Sequence, residues 1–401
     1  MQGGRQALPH APLPVSVYFI QKELDMRTKK QNRRVLTGLL ILMLLFLGLE
    51  AGGFQRSIGD MAQDYRLDAA LAGALVSGQY VVMIAAPLIA GRIADRRSHR
   101  TALLAGVLLF SCGCLCIQLP AGQAALPAVL LIGTGYSFIE CTATALLAEL
   151  PFGAAAVNGS QCAFCIGAVL APVLAEQLSL SWRFSFLIPG LAALLLLPLL
   201  FGSFRSEDGL RRQEPAGTPV FSAEILLLLC AMFLYGMLEN GSAYSLVRFF
   251  SDHLHVAYGA YALSAFWLAM ALGRGLCAFP QLQRIPVWLC CLMSFLLLAV
   301  LALAQNGMLA FAAAFLFGLF CAPLWPGMIL TAARASAHVG TVVGCMSLAS
   351  CVGGTVSPLL LGVCEKYFGA AVSFRVLSLA ALLMLSITFL AARPAIFHKR
   401  R

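Results

Sequence analysis

Three glutamates stand inside long apolar runs of the sequence: Glu50, Glu140 and Glu239. A charged carboxylate at the middle of a bilayer costs about 2.5–3.5 kcal/mol on insertion scales, so such acids face the interior of a helix bundle or a wet cavity. Burial there disfavours the charged form, which lets the carboxyl take up and release a proton near neutral pH. We therefore expect these acids to carry protons, with Glu239 and Glu140 favoured over Glu50, which lies near the end of its run.

Aromatic and amide side chains in the same apolar runs are candidates for holding a ligand. Rings with a polar group bind sugar-like or amphipathic molecules by stacking and hydrogen bonding. The same residue types also pack between helices or tie them together, so both interpretations stay open at this point. The candidates are Asn240, Tyr244, Trp267, Gln161, Tyr136, Trp325 and Gln79.

Catalytic and metal-binding patterns are absent from the sequence. The 14 Cys lie almost entirely in apolar segments, where they are expected to act as small packing residues. No nucleotide-binding G-x-x-x-x-G-K-[ST], H-E-x-x-H or G-x-S-x-G occurs, and the six His lie at segment ends or in loops. We therefore predict neither an enzyme nor a bound metal or cofactor.

The composition identifies the class of protein that must position these residues. Of the 401 residues, 60% are hydrophobic and 11% are charged, with a mean hydropathy of +0.87. Soluble domains carry about 25% charged residues. The chain is therefore predicted to be an integral membrane protein.

The apolar runs predict twelve membrane-spanning helices, each long enough to cross about 30 Å of hydrocarbon. They cover residues 35–54, 69–90, 101–119, 124–147, 157–177, 182–202, 221–249, 258–278, 286–304, 308–331, 337–361 and 370–392. A polar, charged stretch at 203–220 divides them into two six-helix bundles, 35–202 and 221–392. Pro323 and Pro326 are predicted to bend the tenth helix.

The distribution of Lys and Arg predicts the orientation. With the N-terminus inside, 21 of the 27 Lys and Arg fall in inner segments and six in outer ones, as the positive-inside rule requires. Both termini are therefore expected in the cytoplasm, with a basic tail at 393–401. The net charge of +10 then reflects topology and not nucleic-acid binding. Residues 1–34 are interpreted as a cytoplasmic tail, or translation begins at Met26, which opens a basic run.

The loop "GRIADRRSHR" after the second predicted helix resembles the signature loop of the major facilitator superfamily, G-x-x-x-D-R-x-G-R-R. Four of its positions are held by Gly91, Asp95, Arg96 and Arg100. Ser98 and His99 stand where Gly and Arg are usual. Gly91 permits close helix approach, and Asp95 can hold the N-terminal end of a neighbouring helix. These contacts are predicted to latch the two bundles together on the cytoplasmic side.

A faint internal repeat adds two residues to this gating motif. The second and eighth predicted helices both place Gly-Arg near their cytoplasmic ends, and in the eighth these are Gly273 and Arg274. Two repeated six-helix halves are the layout of many secondary transporters.

A closer resemblance is to the fucose–proton symporter family. It is carried by "GMLENGSAYSLVRFF" and "ALSAFWLAMALGR" in the seventh and eighth helices, and it extends over most of residues 35–392. It implies an all-α fold of two pseudo-symmetric bundles and transport by alternating access. The expected activity is proton-coupled import of a sugar-like or other small polar solute. The expected partners are that solute, protons and the lipid bilayer, and the chain is expected to be a monomer in the inner (plasma) membrane. Proton-driven export of drugs or metabolites is the main alternative, and a non-transporting sensor is a minor one.

Overall fold

The computed structural model describes residues 15–66, 69–120, 122–150, 152–178, 181–204 and 221–398. Over these residues the chain is almost entirely helical, which confirms the predicted all-α architecture. The α-helices are α1 Val15–Asp64, α2 Ala69–Arg96, α3 His99–Cys116, α4 Gly122–Ala148, α5 Gly153–Gln177, α6 Phe184–Ser203, α7 Ala223–Arg248, α8 Gly259–Leu276, α9 Val287–Leu303, α10 Gly307–Cys321, α11 Leu324–Ala335, α12 Val339–Phe368 and α13 Ala371–His398.

Nine helical stretches within the described residues are long and apolar enough to cross a membrane. One of them, Gly307–Ala335, contains both α10 and α11. The helix breaks there at Ala322 and Pro323, as the two prolines of this segment predicted. Together with α2, α8 and the 17-residue α9, these stretches account for the twelve predicted spans.

The first helix is much longer than its predicted span of 35–54. It runs for 50 residues, from Val15 to Asp64, because the residues on either side of the apolar run contain many good helix formers such as Gln, Lys, Glu and Arg. The predicted tail is therefore helical from Val15 onward. Residues 1–14 and most of the predicted linker, 205–220, lie outside the described residues.

Each half of the chain is built around a glycine-rich helix crossing. In the first half, a side chain on Gly48 or Gly52 of α1 would collide with the backbone of Phe164 or Ala168 on α5. In the second half, α7 and α12 make the same kind of crossing, because a side chain on Gly236 would collide with the backbone of Ser350. Small residues let helix backbones approach this closely inside a membrane. The two crossings are six spans apart, in agreement with the internal repeat.

The two halves meet mainly where α2 packs on α12 and α5 packs on α8. Weaker contacts join α4 to α12 and α5 to α11. Several candidate functional residues lie along these same helices: Gln79 on α2, Glu140 on α4, Gln161 on α5 and Arg274 on α8. The division into bundles at 35–202 and 221–392 stays a prediction.

Candidate transport site and interhalf latch

Asp95, in the loop motif, binds the N-terminal end of α12. Its Oδ1 accepts a hydrogen bond of 2.9 Å from the backbone N–H of Gly340, and its Oδ2 accepts one of 2.6 Å from that of Thr341. The first N–H groups of a helix have no partner within the helix, and the helix dipole favours a negative charge there. Asp95 thus joins α2 in the first half to α12 in the second, the contact that the sequence predicted. We call this end of the molecule the latch end.

Three glycines bring the two helices together at the latch end. A side chain on Gly91 would collide with the backbone carbonyl of Gly340, and one on Gly344 would collide with that of Pro87. A Cβ on Gly340 would lie 2.8 Å from the Asp95 carboxylate. The hydrogen bonds of Asp95 are possible only because the backbones come this close.

The remaining residues of the loop motif have different surroundings. Arg96 is exposed, and the guanidinium of Arg100 lies 3.9 Å from the centre of the Phe201 ring on α6. Ser98, in extended conformation, caps α3 by accepting a hydrogen bond from the backbone N–H of Thr101. Because that conformation suits any residue, this turn does not require the usual glycine. The gating role of the whole motif stays a prediction.

Arg274 is the centre of a buried polar cluster. Its Nη2 donates to Oε1 of Glu239 over 3.1 Å and to the hydroxyl of Tyr235 over 3.1 Å. Its Nη1 donates to the sulfur of Cys165 over 3.0 Å. Only 5% of the Arg274 side chain and 15% of the Glu239 side chain are exposed. The sequence grouped Arg274 with the gating motif and Glu239 with the proton carriers, and the structure joins the two as an ion pair.

Two members of this cluster were missed by sequence reasoning. Tyr235 precedes Glu239 by one helical turn, so the i, i+4 spacing on α7 was a signal that would have found it. Cys165 lies on α5, in the other half of the chain, and nothing in the sequence connects it with Arg274 on α8.

Glu140, on α4, is a third charged group near the cluster. It is partly buried and lies close enough to Arg274 and Glu239 for their charges to interact with it. Two carboxyl groups, one from each half, therefore lie near the same buried cation. The structure brings together two of the three predicted proton carriers.

Glu50, the third predicted carrier, occupies a separate site in the first half. It is fully buried in α1, and its Oε1 accepts a hydrogen bond of 3.1 Å from the amide of Gln79 on α2. Its other oxygen has no hydrogen-bond partner among the described residues. The sequence placed Glu50 near the end of its apolar run, but α1 continues to Asp64, so the carboxyl is well inside the helix. Gln79, a ligand candidate, is the residue that binds it.

The other ligand candidates divide into buried and accessible groups. Gln161, Tyr136 and Trp325 are almost fully buried, and Tyr136 packs edge to face against Phe164. Trp267 is partly buried beside Phe266. Asn240 is exposed, although its amide donates to a carbonyl one turn back on α7, which stays helical throughout.

Tyr244 belongs to a second polar network, at the end of α7 opposite the latch end. Its hydroxyl accepts a hydrogen bond of 2.7 Å from Arg248, which also pairs with Glu365 over 3.2 Å. The carboxylate of Glu365 accepts further hydrogen bonds from Ser245 and Ser373. This network ties α7, α12 and α13 together within one half, so we regard it as structural.

Among the described residues, no group of three or more His, Cys, Asp or Glu side chains is placed to hold a metal ion.

A bundle of membrane-spanning helices in two similar halves, with buried acids at their interface, is the architecture of a membrane transporter. Residues 38–280 match the family model of the Major Facilitator Superfamily. Because this match covers more than half of the chain, the protein belongs to that superfamily. The superfamily consists of multi-pass membrane transporters and not of enzymes.

The known proteins that are similar to this chain differ from one another in the substrates that they transport. The 3-(3-hydroxy-phenyl)propionate transporter of Escherichia coli K12 is 28% identical over 220 residues, which are 51% of this chain. The chain spans 55% of that relative's length.

Solved structures confirm the fold. FucP, the fucose:proton symporter of Escherichia coli, in its outward conformation, superposes with a TM-score of 0.70 at 16% identity, over 88% of this chain and 98% of that one. A bacterial homologue of the iron transporter ferroportin, in an outward-facing state, gives 0.75 at 13% identity, over 89% and 99%. These likenesses agree with the predicted resemblance to fucose–proton symporters. At such low identities they establish the fold alone.

Proposed function

We propose that this protein is a proton-coupled importer of a small polar solute, acting as a monomer in the inner (plasma) membrane with both termini in the cytoplasm. The observation that carries the proposal is the ion pair between Glu239 and Arg274. It is buried, it lies where the two halves meet, and a second acid, Glu140, stands beside it. Acids buried between moving parts inside a membrane are typical of proton-coupled function.

The ion pair provides a physical basis for coupling. Protonation of Glu239 removes the negative charge that Arg274 contacts directly and leaves Glu140 as the nearby acid. Breaking a buried pair in this way costs about 3–5 kcal/mol, which is enough to shift a two-state equilibrium by a hundredfold or more. Uptake of a proton therefore changes the relative stability of the conformations in which the α5–α8 contact is closed or open.

The solute is proposed to be sugar-like, as the fucose–proton symporter resemblance implies. A second candidate, an aromatic carboxylate, is supported by the sequence relative that transports 3-(3-hydroxy-phenyl)propionate. The described cluster contains few amide side chains and one arginine, which suits an amphipathic acid at least as well as a sugar. Proton-driven export remains the alternative direction.

Uptake by the purified protein in liposomes tests the proposal. L-Fucose and 3-(3-hydroxyphenyl)propionate are each offered with an inward proton gradient, without a gradient, and with the gradient reversed. We expect one of them to accumulate only under the inward gradient, and not in liposomes that contain the Glu239→Gln protein. Accumulation that is independent of the gradient contradicts proton coupling, and accumulation driven only by the reversed gradient indicates an exporter.

A further inference from the structure

The side chain of Arg274 is only partly used by the protein. Its Nη2 faces Glu239 and Tyr235, and its Nη1 faces Cys165. The third donor, Nε, is buried and has no hydrogen-bond partner among the residues that the structure describes. In a guanidinium group, Nε–H and the adjacent N–H of Nη2 point in the same direction and form an edge that matches the two oxygens of a carboxylate.

Glu239 contacts one nitrogen of that edge and leaves the other unused. A buried donor without a partner costs about 1–3 kcal/mol. A ligand that accepts hydrogen bonds from both Nε and Nη2 therefore binds Arg274 more favourably than Glu239, which contacts Nη2 alone. A second buried donor lies nearby on α5, one helical turn before Cys165: the amide Nε2 of Gln161, which also has no partner within the described part of the chain. Both groups are donors, so a ligand that fits them must carry hydrogen-bond acceptors.

The charges around the cluster limit what such a ligand can be. The titratable groups that face Glu239 from the surrounding helices are Arg274 on α8, Glu140 on α4, Tyr235 on α7, Cys165 on α5, Cys321 on α10 and Cys351 on α12. Of these, the thiols and the phenol are neutral near pH 7. The single cation already has two carboxyl groups beside it, so a third negative charge is tolerated only if one of the two is neutralised.

We propose that Arg274 binds the carboxylate of the transported solute in exchange for Glu239, and that Glu239 takes up one proton when it is displaced. The solute is then a small monocarboxylate, and its negative charge enters together with one positive charge. One proton moves from water to the Glu239 carboxylate, and the solute carboxylate replaces Glu239 on the guanidinium edge. The charge of the buried cluster does not change. The proposal rests on the proposed function and specifies its substrate class and its coupling.

Ligand binding to the purified protein tests this exchange without knowledge of the natural solute. The probes are acetate, benzoate and 3-phenylpropionate, each paired with its neutral amide, and binding is measured by the shift in the protein's melting temperature at several pH values. For the wild-type protein, we expect at least one acid to raise the melting temperature more than its amide does. At the higher pH values its Kd should rise by up to about tenfold for each pH unit, because one proton binds with each anion.

Three variants distinguish the exchange from simple electrostatic attraction. In Glu239→Gln the Kd for the acid should no longer depend on pH and should equal the wild-type value at low pH. In Arg274→Gln the preference for acid over amide should disappear. Glu365→Gln is the control, a neutralised acid in the structural network at the other end of α7, and it should retain the wild-type pH dependence.

Several results would overturn the proposal. It is wrong if no acid exceeds its amide in the wild-type and Glu239→Gln proteins, if Arg274→Gln keeps the preference, or if Glu239→Gln keeps the wild-type pH dependence. Should Arg274→Gln fail to fold, the comparison of wild type with Glu239→Gln still decides. Gradient-driven uptake of L-fucose without any binding of acids would refute this inference and leave proton coupling intact. Binding of acids with the expected pH dependence, but without uptake driven by the gradient, would keep this inference and refute proton-coupled import.

Discussion

Asp95 and Gly340 join the two halves of the molecule through a hydrogen bond of 2.9 Å between a side-chain carboxylate and a backbone N–H. The acceptor is charged and the donor belongs to the first turn of a helix, two features that strengthen the contact. Hydrogen bonds to charged groups contribute about 1.5–3 kcal/mol. Closure of the latch end therefore depends measurably on this one carboxylate.

Replacement of Asp95 by Asn tests the latch. The amide keeps the shape and one acceptor oxygen, but it loses the charge and the second acceptor. We expect normal insertion and expression, with a transport rate reduced by about tenfold, corresponding to a loss of about 1–2 kcal/mol. Arg97→Gln, an exposed charge in the same loop, is the control and should transport normally. A wild-type rate in Asp95→Asn would show that the carboxylate has no gating role.

A methyl group at Gly91 should hold the latch end open. In Gly91→Ala, the new Cβ collides with the backbone carbonyl of Gly340, so α2 and α12 must move apart. We expect loss of most transport and faster alkylation of Cys345, which is partly buried on α12 beyond this contact. The matched control is Gly38→Ala, because an added Cβ there has no neighbour within 4 Å. If Gly91→Ala and Gly38→Ala show the same transport rate and the same rate of Cys345 alkylation, α2 and α12 are not closely packed at the latch end.

The three membrane-buried acids are tested by replacing each with Gln. A Gln side chain forms hydrogen bonds but cannot release a proton. We expect Glu239→Gln and Glu140→Gln, and then Glu50→Gln, to lose accumulation driven by a pH gradient while they retain solute exchange. Glu365→Gln is the control, since Glu365 lies in the network we regard as structural; it should lower stability and leave the pH dependence unchanged. If all three variants still concentrate the solute in response to the gradient, these acids do not carry the coupled proton.

The contact between α5 and α8 should be trapped by a new disulfide bond. A Cβ placed on Gly275 lies 3.2 Å from the sulfur of Cys162, in the other half. Gly275→Cys should therefore cross-link to Cys162 under mild oxidation. The cross-link should block transport, and reduction should restore it. Combining Gly275→Cys with Cys162→Ser removes the partner thiol, so oxidation should leave the transport rate of the double variant unchanged. A cross-linked protein that still transports would show that this contact need not open.

The orientation follows from the distribution of Lys and Arg, and it is tested by labelling single cysteines. Leu210→Cys in the linker and His398→Cys near the C-terminus should react with a membrane-impermeant reagent only after the membrane is permeabilised. Reaction of either residue from outside intact cells would overturn the twelve-span topology.

The sequence by itself determined the class of protein and the identity of most candidate residues. Apolar runs of about 20 residues, a biased distribution of Lys and Arg, and glutamates inside hydrocarbon are local features, and each has a direct energetic meaning in a membrane. The break at Pro323 and the contact of Asp95 with the end of a helix were predictable for the same reason, because a proline or a loop motif acts on its own neighbourhood.

Only the tertiary structure decided which of these residues meet. Glu239 and Arg274 are 35 positions apart, and Arg274 and Cys165 are 109 apart in different halves. Their contacts depend on how the helices are rotated and how closely they cross, and that is set by the glycine crossings and the packing of whole helices. The sequence accordingly assigned Arg274 to the gating motif, although its long side chain lies in the buried cluster beside Glu239. A residue's chemistry is present in the sequence, but its partner is fixed by the packing of distant helices.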